Sequence, residues 1–285
     1  MNGILLVNKE PGITSRDVVN KVCKIFNTKK VGHTGTLDPL ASGVLVLCIG
    51  SATKVVEILT SNDKEYEAEM LLGISTDTYD ITGKILKEEE VFVSEEQIKT
   101  ALNGMVGTYE QEVPIYSAVK INGKKLYDYA RNNEEINLPS RSVTIKNISL
   151  LNISDNNKRI TFKVQVSKGT YIRSLICDIA KKLNTVGTMT KLIRTRQGNF
   201  SLDECYTLTQ IEQGNYKLLD INTCLNDLFK VVVTGNLERA VKNGAVITNR
   251  WQREKVLFTD EHSNLIALYK KYEKDDKMLK PWKMF

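Results

Sequence analysis

The segment Gly32-His33-Thr34-Gly35-Thr36-Leu37-Asp38-Pro39-Leu40-Ala41-Ser42-Gly43, followed at once by Val44-Leu45-Val46-Leu47, constrains this chain more than any other stretch. The apolar run reads as a buried strand, so the glycine-punctuated loop before it is tied to a rigid element. Gly32, Gly35 and Gly43 permit turns that side chains resist, and Pro39 pushes Asp38 toward an extended backbone. Two readings of Asp38 stand open. An aspartate before proline is an ordinary turn former, and a loop held on a strand is also where a catalytic acid is presented. His33, one of two histidines in the chain, precedes it in the same loop.

Capping signals and periodicity divide the remainder. A short strand, Ile4 to Asn8, runs into the turn Lys9-Glu10-Pro11-Gly12, and Thr14 with Asp17 forms a capping box for a helix to about Phe26. Ser51 is placed to cap a second helix carrying Val55, Val56, Ile58 and Leu59. Lys64 to Gly73 alternates Tyr66, Ala68, Met70 and Leu72 with Glu65, Glu67 and Glu69, a half-buried strand. Ser94 with Gln97 opens another helix, and Asn122-Gly123 marks a hairpin. Leu126 to Arg131 suits a short helix, and Asn132 to Pro139 a polar loop. Strands follow over about 142–153 and 158–166, joined at Asp155-Asn156-Asn157. Gly169 leads into a helix with Ile172, Leu175, Ile176, Ile179 and Leu183, and a helical region spans about 201–228. From Val231 the pattern turns to short strands, punctuated by Gly235, Gly244 and the Glu261–Asn264 turn. This order predicts an α+β fold with a mixed, largely antiparallel sheet over 1–228 and a small β-rich unit over 229–285.

Several chemistries are excluded by what the residues lack. The five cysteines are scattered, with no C-x-x-C pair, and the histidines are far apart, so no metal spacing exists. Neither a phosphate-binding P-loop nor a dinucleotide fingerprint occurs, and the expected chemistry uses no cofactor. No apolar stretch is long enough to cross a bilayer and no basic leader opens the chain, which makes the cytoplasm the expected location. Of the net charge of +6, residues 230–285 contribute 12 Lys/Arg against 7 Asp/Glu, and the rest 28 against 27. A basic unit on a near-neutral body suits a partner with a phosphate backbone, and equally a solvated lysine-rich tail.

The residues from Gly32 to Gly43 resemble the catalytic motif of the TruB family of pseudouridine synthases, which isomerise a uridine in the T-loop of transfer RNA. The family's nucleophilic aspartate falls on Asp38 and its loop histidine on His33. Three more segments resemble the family in the same order. Lys64-Glu65-Tyr66-Glu67-Ala68 supplies an active-site tyrosine, Tyr66. Ser167-Lys168-Gly169-Thr170-Tyr171-Ile172-Arg173 supplies Tyr171 and Arg173. In Lys191-Leu192-Ile193-Arg194, Leu192 aligns with a leucine packed against the target base. Where the family commonly places paired arginines after that leucine, Ile193 replaces the first and leaves Arg194 as a substrate-binding candidate. Lys9 matches a basic residue kept near the family's N-terminus and joins the substrate-binding set, with support of the active-site loop as its job. The C-terminal unit resembles a PUA domain, an RNA-binding module, through residues 237–247.

The resemblance implies isomerisation of uridine-55 to pseudouridine by a pseudouridine synthase fold. Breaking N1–C1′, turning the uracil and joining C5 to C1′ oxidises nothing, and a carboxylate near the anomeric carbon is what such a step requires. Asp38 takes that role, and Arg173 can hold it bidentately. Tyr66 either stacks on the uracil or is a core tyrosine, and Tyr171 and Leu192 complete the pocket walls. His33 either fills the space left by the everted base or makes a loop hydrogen bond. The segment 117–141 interleaves Lys120, Lys124, Lys125, Arg131 and Arg141 with Tyr116, Tyr127 and Tyr129, a composition suited to an RNA loop or to a solvated hairpin. In the family the corresponding insertion closes over the T-loop. The expected partner is the T-arm of transfer RNA, with no membrane, no required protein partner and a monomeric chain. The alternative is a non-catalytic module that binds or folds transfer RNA. Removing residues after about 229 is expected to leave the active site assembled.

Overall fold

Strands that alternate cleanly in the sequence meet in one large sheet of the computed structural model, which describes residues 1–132 and 134–285. Its main strands are β1 (Gly3–Lys9), β2 (Val31–His33), β3 (Ser42–Ile49), β4 (Lys64–Leu72), β5 (Gly107–Glu112), β6 (Ser140–Ser154), β7 (Arg159–Val166) and β8 (Gly187–Gln197). The spatial order is β1-β3-β8-β4-β7-β6-β5, with β2 beside β3. Among the described residues its pairings are antiparallel except the short β3–β8 contact, where Ser42 faces Ile193 and Gly43 faces Arg194. The fold is α+β with a largely antiparallel sheet.

The apolar run in β3 is continuous because both of its faces are covered. Leu45, Leu47 and Ile49, with Leu5 and Val7 of β1, join a core closed by α1 (Ser15–Ile25), α2 (Glu95–Asn103) and α4 (Ile172–Lys182). Val44, Val46 and Cys48, with Ile4 and Leu6, face a second core that includes Leu257 and Leu268 of the C-terminal sheet. Helix α3 (Leu126–Arg131) follows the hairpin Lys120–Ile121/Lys124–Lys125, where Asn122 and Gly123 both take positive φ (50° and 81°). That is the two-residue turn the Asn-Gly pair favours. Both expected capping boxes form, at Thr14/Asp17 and Ser94/Gln97.

Four expectations need correction or restriction. Ser51 caps nothing: a 3-10 turn over Gly50–Val55 precedes a short helix at Val56–Thr60, and the Asn2 side chain accepts the Ser51 N–H at 2.8 Å. The region 201–228 is helical as expected but only in short pieces, a 3-10 helix at 202–204 and α-helices at 208–212 and 221–224, because its backbone lies along the free edge of β1. Leu219 exchanges hydrogen bonds with Ile4, and Tyr206 N–H donates to Leu6. Covering an edge strand takes precedence there over helix propensity. The strand β8 has no counterpart in the pattern reading, since Lys191, Arg194 and Arg196 break its apolar alternation. Of the polar loop 132–139, Asn133 lies outside the described residues.

The C-terminal sheet runs in the order β9 (Lys230–Val232), β11 (Lys255–Thr259), β12 (Leu265–Tyr272), β13 (Asp275–Met284), β10 (Ile247–Thr248). The expected run of short strands is interrupted by α5 (Gly235–Lys242), whose Leu237, Ala240 and Val241 recur at helical spacing and pack on this sheet. Leu257 and Leu268 are fully buried against β1 and β3, and Lys283 pairs with Glu57 at 2.8 Å. The unit is therefore seated on the back of the strands that carry the Asp38 loop.

Candidate active site

The loop that bears Asp38 is held by hydrogen bonds on nearly every residue. At the start of α1 the Ser15 hydroxyl accepts the Leu37 N–H at 2.8 Å and donates to the Leu37 carbonyl at 3.0 Å. Gly12 N–H donates to the Pro39 carbonyl, and Ala41 N–H to the Asp38 carbonyl. From β1 the Lys9 ammonium donates to the carbonyls of Glu10, Pro39 and Ala41 at 3.0, 3.3 and 2.6 Å. From β8 the Arg194 guanidinium donates to the carbonyls of Gly35 (3.1 Å) and Val44 (2.6 Å). A carboxylate on so restrained a backbone needs little reorganisation to act.

Gly43 permits the approach of β8. Its φ is +99°, and a Cβ there would stand 2.3 Å from the Arg194 carbonyl oxygen. No side chain fits, so the loop meets β8 backbone to backbone.

Arg173, at the start of α4, is buried and reaches Asp38 with two nitrogens. Nε lies 2.8 Å from Oδ2, an ion-pair contact whose N–H is not aimed along that line, and Nη2 donates to Oδ1 at 3.3 Å. Its other bonds go to the backbone, Nη1 to Thr78 O at 2.9 Å and Nη2 to Tyr116 O at 3.0 Å. The guanidinium is thus oriented before it meets the carboxylate, which keeps a side-chain exposure of 34%. One carboxylate, clamped from behind and open in front, faces a cleft of about 920 Å³.

Tyr66 of β4, Tyr171 at the head of α4 and Leu192 of β8 line the same cleft, as do Lys120 and Arg194. Tyr66 is buried on the β4 face shared with Ala68, opposite Val164 and Arg194 of the flanking strands. Tyr171 exchanges backbone hydrogen bonds with the Gln111 amide, and the Arg141 guanidinium stands over its ring at 5.4 Å. Lys120 is exposed on the insertion hairpin. Arg131 does not line the cleft, but stands at 5.2 Å over the ring of Tyr127, which does.

Of the expected substrate-binding residues, Lys9 does the loop-supporting job expected of it, and Arg194 and His33 are placed otherwise than as substrate contacts. Lys9 is fully buried, spends its three N–H groups on carbonyls, and presents nothing to a substrate. Burial pulls its pKa down to about 8, against the attraction of Asp38, while Arg194 pushes the same way as burial. Arg194 is 1% exposed and holds backbone, so it is not free for phosphate. His33 lies on β2 opposite Leu47 and outside the cleft lining. Its Nδ1 is buried without a partner among the described residues, and burial, with Arg16 and Arg194, lowers its pKa.

One lining residue escaped the pattern reading although its signal was present. Lys64 shares the parity of Tyr66 and Ala68 on β4, so alternation already placed it on the buried face. Its ammonium donates to the carbonyls of Thr60 and Asn62 at 2.7 and 2.5 Å, and burial, then Arg194, lower its pKa to about 8. The carbonyls of Thr78 and Tyr116 carry no sequence signal at all. Among the described residues no group of His, Cys, Asp and Glu could hold a metal ion.

Residues 23–172 match the family described as TruB family pseudouridylate synthase (N terminal domain), and residues 173–231 match the tRNA pseudouridylate synthase B C-terminal domain. The tRNA pseudouridine synthase B of Bacillus pumilus is 44% identical, across 100% of this chain and 97% of that protein. Its counterpart in Bacillus subtilis is 41% identical over the same shares, 100% and 97%. A chain of a Cbf5-Nop10-Gar1 complex superposes with a TM-score of 0.73 at 28% identity, covering 94% of this chain and 78% of that one. A chain of an H/ACA RNP bound to a substrate RNA containing 2'-deoxyuridine gives 0.72 at 26% identity, covering 99% and 84%.

Proposed function

Since the chain belongs to the TruB family of pseudouridylate synthases, we propose that it converts uridine-55 in the T-loop of transfer RNA to pseudouridine. The observation that carries this is the Arg173-clamped Asp38 facing a cleft walled by Tyr66, Tyr171 and Leu192. The whole-length similarity to tRNA pseudouridine synthases B supports transfer RNA as the substrate. The chain is an enzyme, an isomerase of uridine.

The target nucleotide leaves its stack and enters the cleft, at a cost of a few kcal/mol offset by stacking on aromatic and apolar walls. Asp38 acts at the ribose, N1–C1′ breaks, and the uracil turns while Tyr66 and Leu192 hold its faces. C5 then bonds to C1′; C5 gives up its proton and N1 gains one, so the base returns with its composition unchanged. The buried Arg173 keeps the carboxylate aimed throughout. The insertion 117–141 grips the loop through Lys120, Arg131 and the tyrosines beside them. The unit from residue 229, PUA-like in our reading, adds phosphate contacts.

A binding module without turnover has no use for a carboxylate so elaborately restrained, and no observation favours it. Action as a single chain on transfer RNA in the cytoplasm, without a protein partner, completes the proposal. The described residues include no helix long and apolar enough to cross a membrane. The test is mapping of pseudouridine in an unmodified transfer RNA transcript treated with the wild type and with Asp38→Asn. Conversion at position 55 by the wild type alone is expected. Equal product from the variant would remove Asp38 from the chemistry, and product at no uridine from either would remove the activity.

A further inference from the structure

Six cations line the cleft (Lys64, Lys120, Arg141, Lys168, Arg173 and Arg194) against one carboxylate, Asp38, among the described residues. Arg173 is matched to Asp38, Arg194 to carbonyls, and Lys120 belongs to the insertion hairpin. The other three have no carboxylate at ion-pair distance among the described residues, although neighbouring lysines do. Lys163 pairs with Glu65 at 3.0 Å, and Lys146 with Asp63. Asp63, whose charge reaches Lys64, is thereby already engaged.

The topology gathers these three cations. The C-terminal end of β7 lies between the N-terminal ends of β4 and β6, with Val166 facing Lys64 and Ser167 N–H donating to Thr144 O. Lys168 follows directly, and Arg141 opens β6. The Arg141 Nη1 stands 3.3 Å from where a Cβ of Gly169 would be, and its guanidinium covers the Tyr171 ring, which satisfies a face, while its N–H edge has no hydrogen-bond partner among the described residues. Lys64 approaches the Asp38 loop itself, its Cε being 3.9 Å from a Cβ built on Gly35. Lys64 is 7% exposed and gives two N–H groups to the carbonyls of Thr60 and Asn62, which leaves the third N–H and a full charge, with Lys168 and Arg194 as like charges nearby; burial of that kind is costly without an anion.

We propose that Lys64, Arg141 and Lys168 form a phosphate subsite for the RNA backbone next to the everted nucleotide, on the sheet wall of the cleft. This rests on the RNA-modifying reading above and extends it to residues outside the insertion. The ligand class is a phosphodiester. Its two unesterified oxygens suit the Arg141 edge and an ammonium, and its charge offsets the three cations.

The test uses the full chain and a T-arm stem–loop RNA, with dissociation constants measured across salt concentration. Lys168→Gln and Arg141→Gln are each expected to flatten the log–log slope by about 0.7 and to weaken binding several-fold at low salt. Lys64→Met, which removes the charge while keeping the apolar stem, should act in the same direction. Lys99→Gln, exposed on α2 and paired with Glu95, is the control that leaves the slope alone. A wild type that binds and converts the stem–loop, with slopes unmoved by Lys168→Gln and Arg141→Gln, overturns the subsite and spares the activity. A wild type that neither binds nor converts it overturns the RNA reading and the subsite together.

Discussion

The Lys9 ammonium and the Asp38 carboxylate make no ion pair; Lys9 instead holds the carbonyls of Pro39 and Ala41, at 3.3 and 2.6 Å, on the chain just past that aspartate. The lysine fixes where the carboxylate stands without taking up its oxygens, which stay available to Arg173 and to the cleft.

That arrangement has a pH signature. Burial lowers Lys9 to about 8, so above that pH the native chain binds fewer protons than the unfolded one. The penalty of burying the charge is therefore present in full at lower pH and relieved as pH rises toward the ordinary lysine range. Relative to Lys9→Met, the wild type should gain up to about 1.4 kcal/mol per pH unit across that window. Urea unfolding of both proteins at about pH 7.5 and about pH 9.5 measures it, and a gap that stays constant contradicts it. Turnover should fall over the same window, because a neutral amine has two N–H groups for three carbonyls.

Arg173→Lys should fold with a loss of about 2–4 kcal/mol and lose turnover by about 100-fold or more. An ammonium cannot meet Thr78 O, Tyr116 O and both oxygens of Asp38 from one position. Single-turnover rates with transfer RNA, beside its dissociation constant, separate the two effects. A rate near wild type would mean the clamp does not position the acid.

Gly43→Ala is expected to be among the most damaging single-methyl changes. The added carbon would stand 2.3 Å from the Arg194 oxygen at a φ of +99°. A loss of roughly 3 kcal/mol corresponds to a melting temperature lower by roughly 6–12 °C. Calorimetry that finds the melting temperature unchanged would show that β3 and β8 can part there.

Arg194→Met should destabilise by about 2–3 kcal/mol, since the carbonyls of Gly35 and Val44 lose their donor in a buried setting. The salt dependence of RNA binding by the folded variant should match wild type, because this guanidinium faces backbone. A flattened slope would return Arg194 to the phosphate-binding set.

Deleting residues 229–285 should leave an insoluble or unfolded remainder, not an assembled site with weaker binding. Ile4, Leu6, Val44 and Val46 would lose Leu257 and Leu268 as neighbours, at about 1.5–3 kcal/mol for each side chain re-exposed. A soluble fragment with a cooperative melt would contradict this. Neutralising Lys255 and Lys280 in place tests phosphate contacts from this unit, which a flatter salt slope would show.

Much of the architecture was legible in local patterns. Thr14 with Asp17, Ser94 with Gln97, Asn122-Gly123 and the Tyr66 to Leu72 alternation each encode an element through neighbours within a few residues. Strand β8 was not legible, because its buried Arg194 is satisfied by carbonyls 150 and 159 positions away in sequence. The same holds for the breaking of the 201–228 helical region into short pieces, whose intervening backbone finds partners on β1.

For the site, the order of residues determined which side chains are available: one aspartate in a glycine-bounded loop, one tyrosine on a buried strand face, one arginine opening a helix. Only the tertiary structure decided which cations face the cleft and which face the backbone. Lys9 spends all three N–H groups on carbonyls and Arg194 two of its nitrogens, whereas Lys64 gives two N–H groups to carbonyls and, with Arg141 and Lys168, lines the cleft without a carboxylate partner among the described residues. The reason is physical. A charge leaves water only where acceptors from distant segments converge on it, and that convergence belongs to the packed chain and not to any window of its sequence.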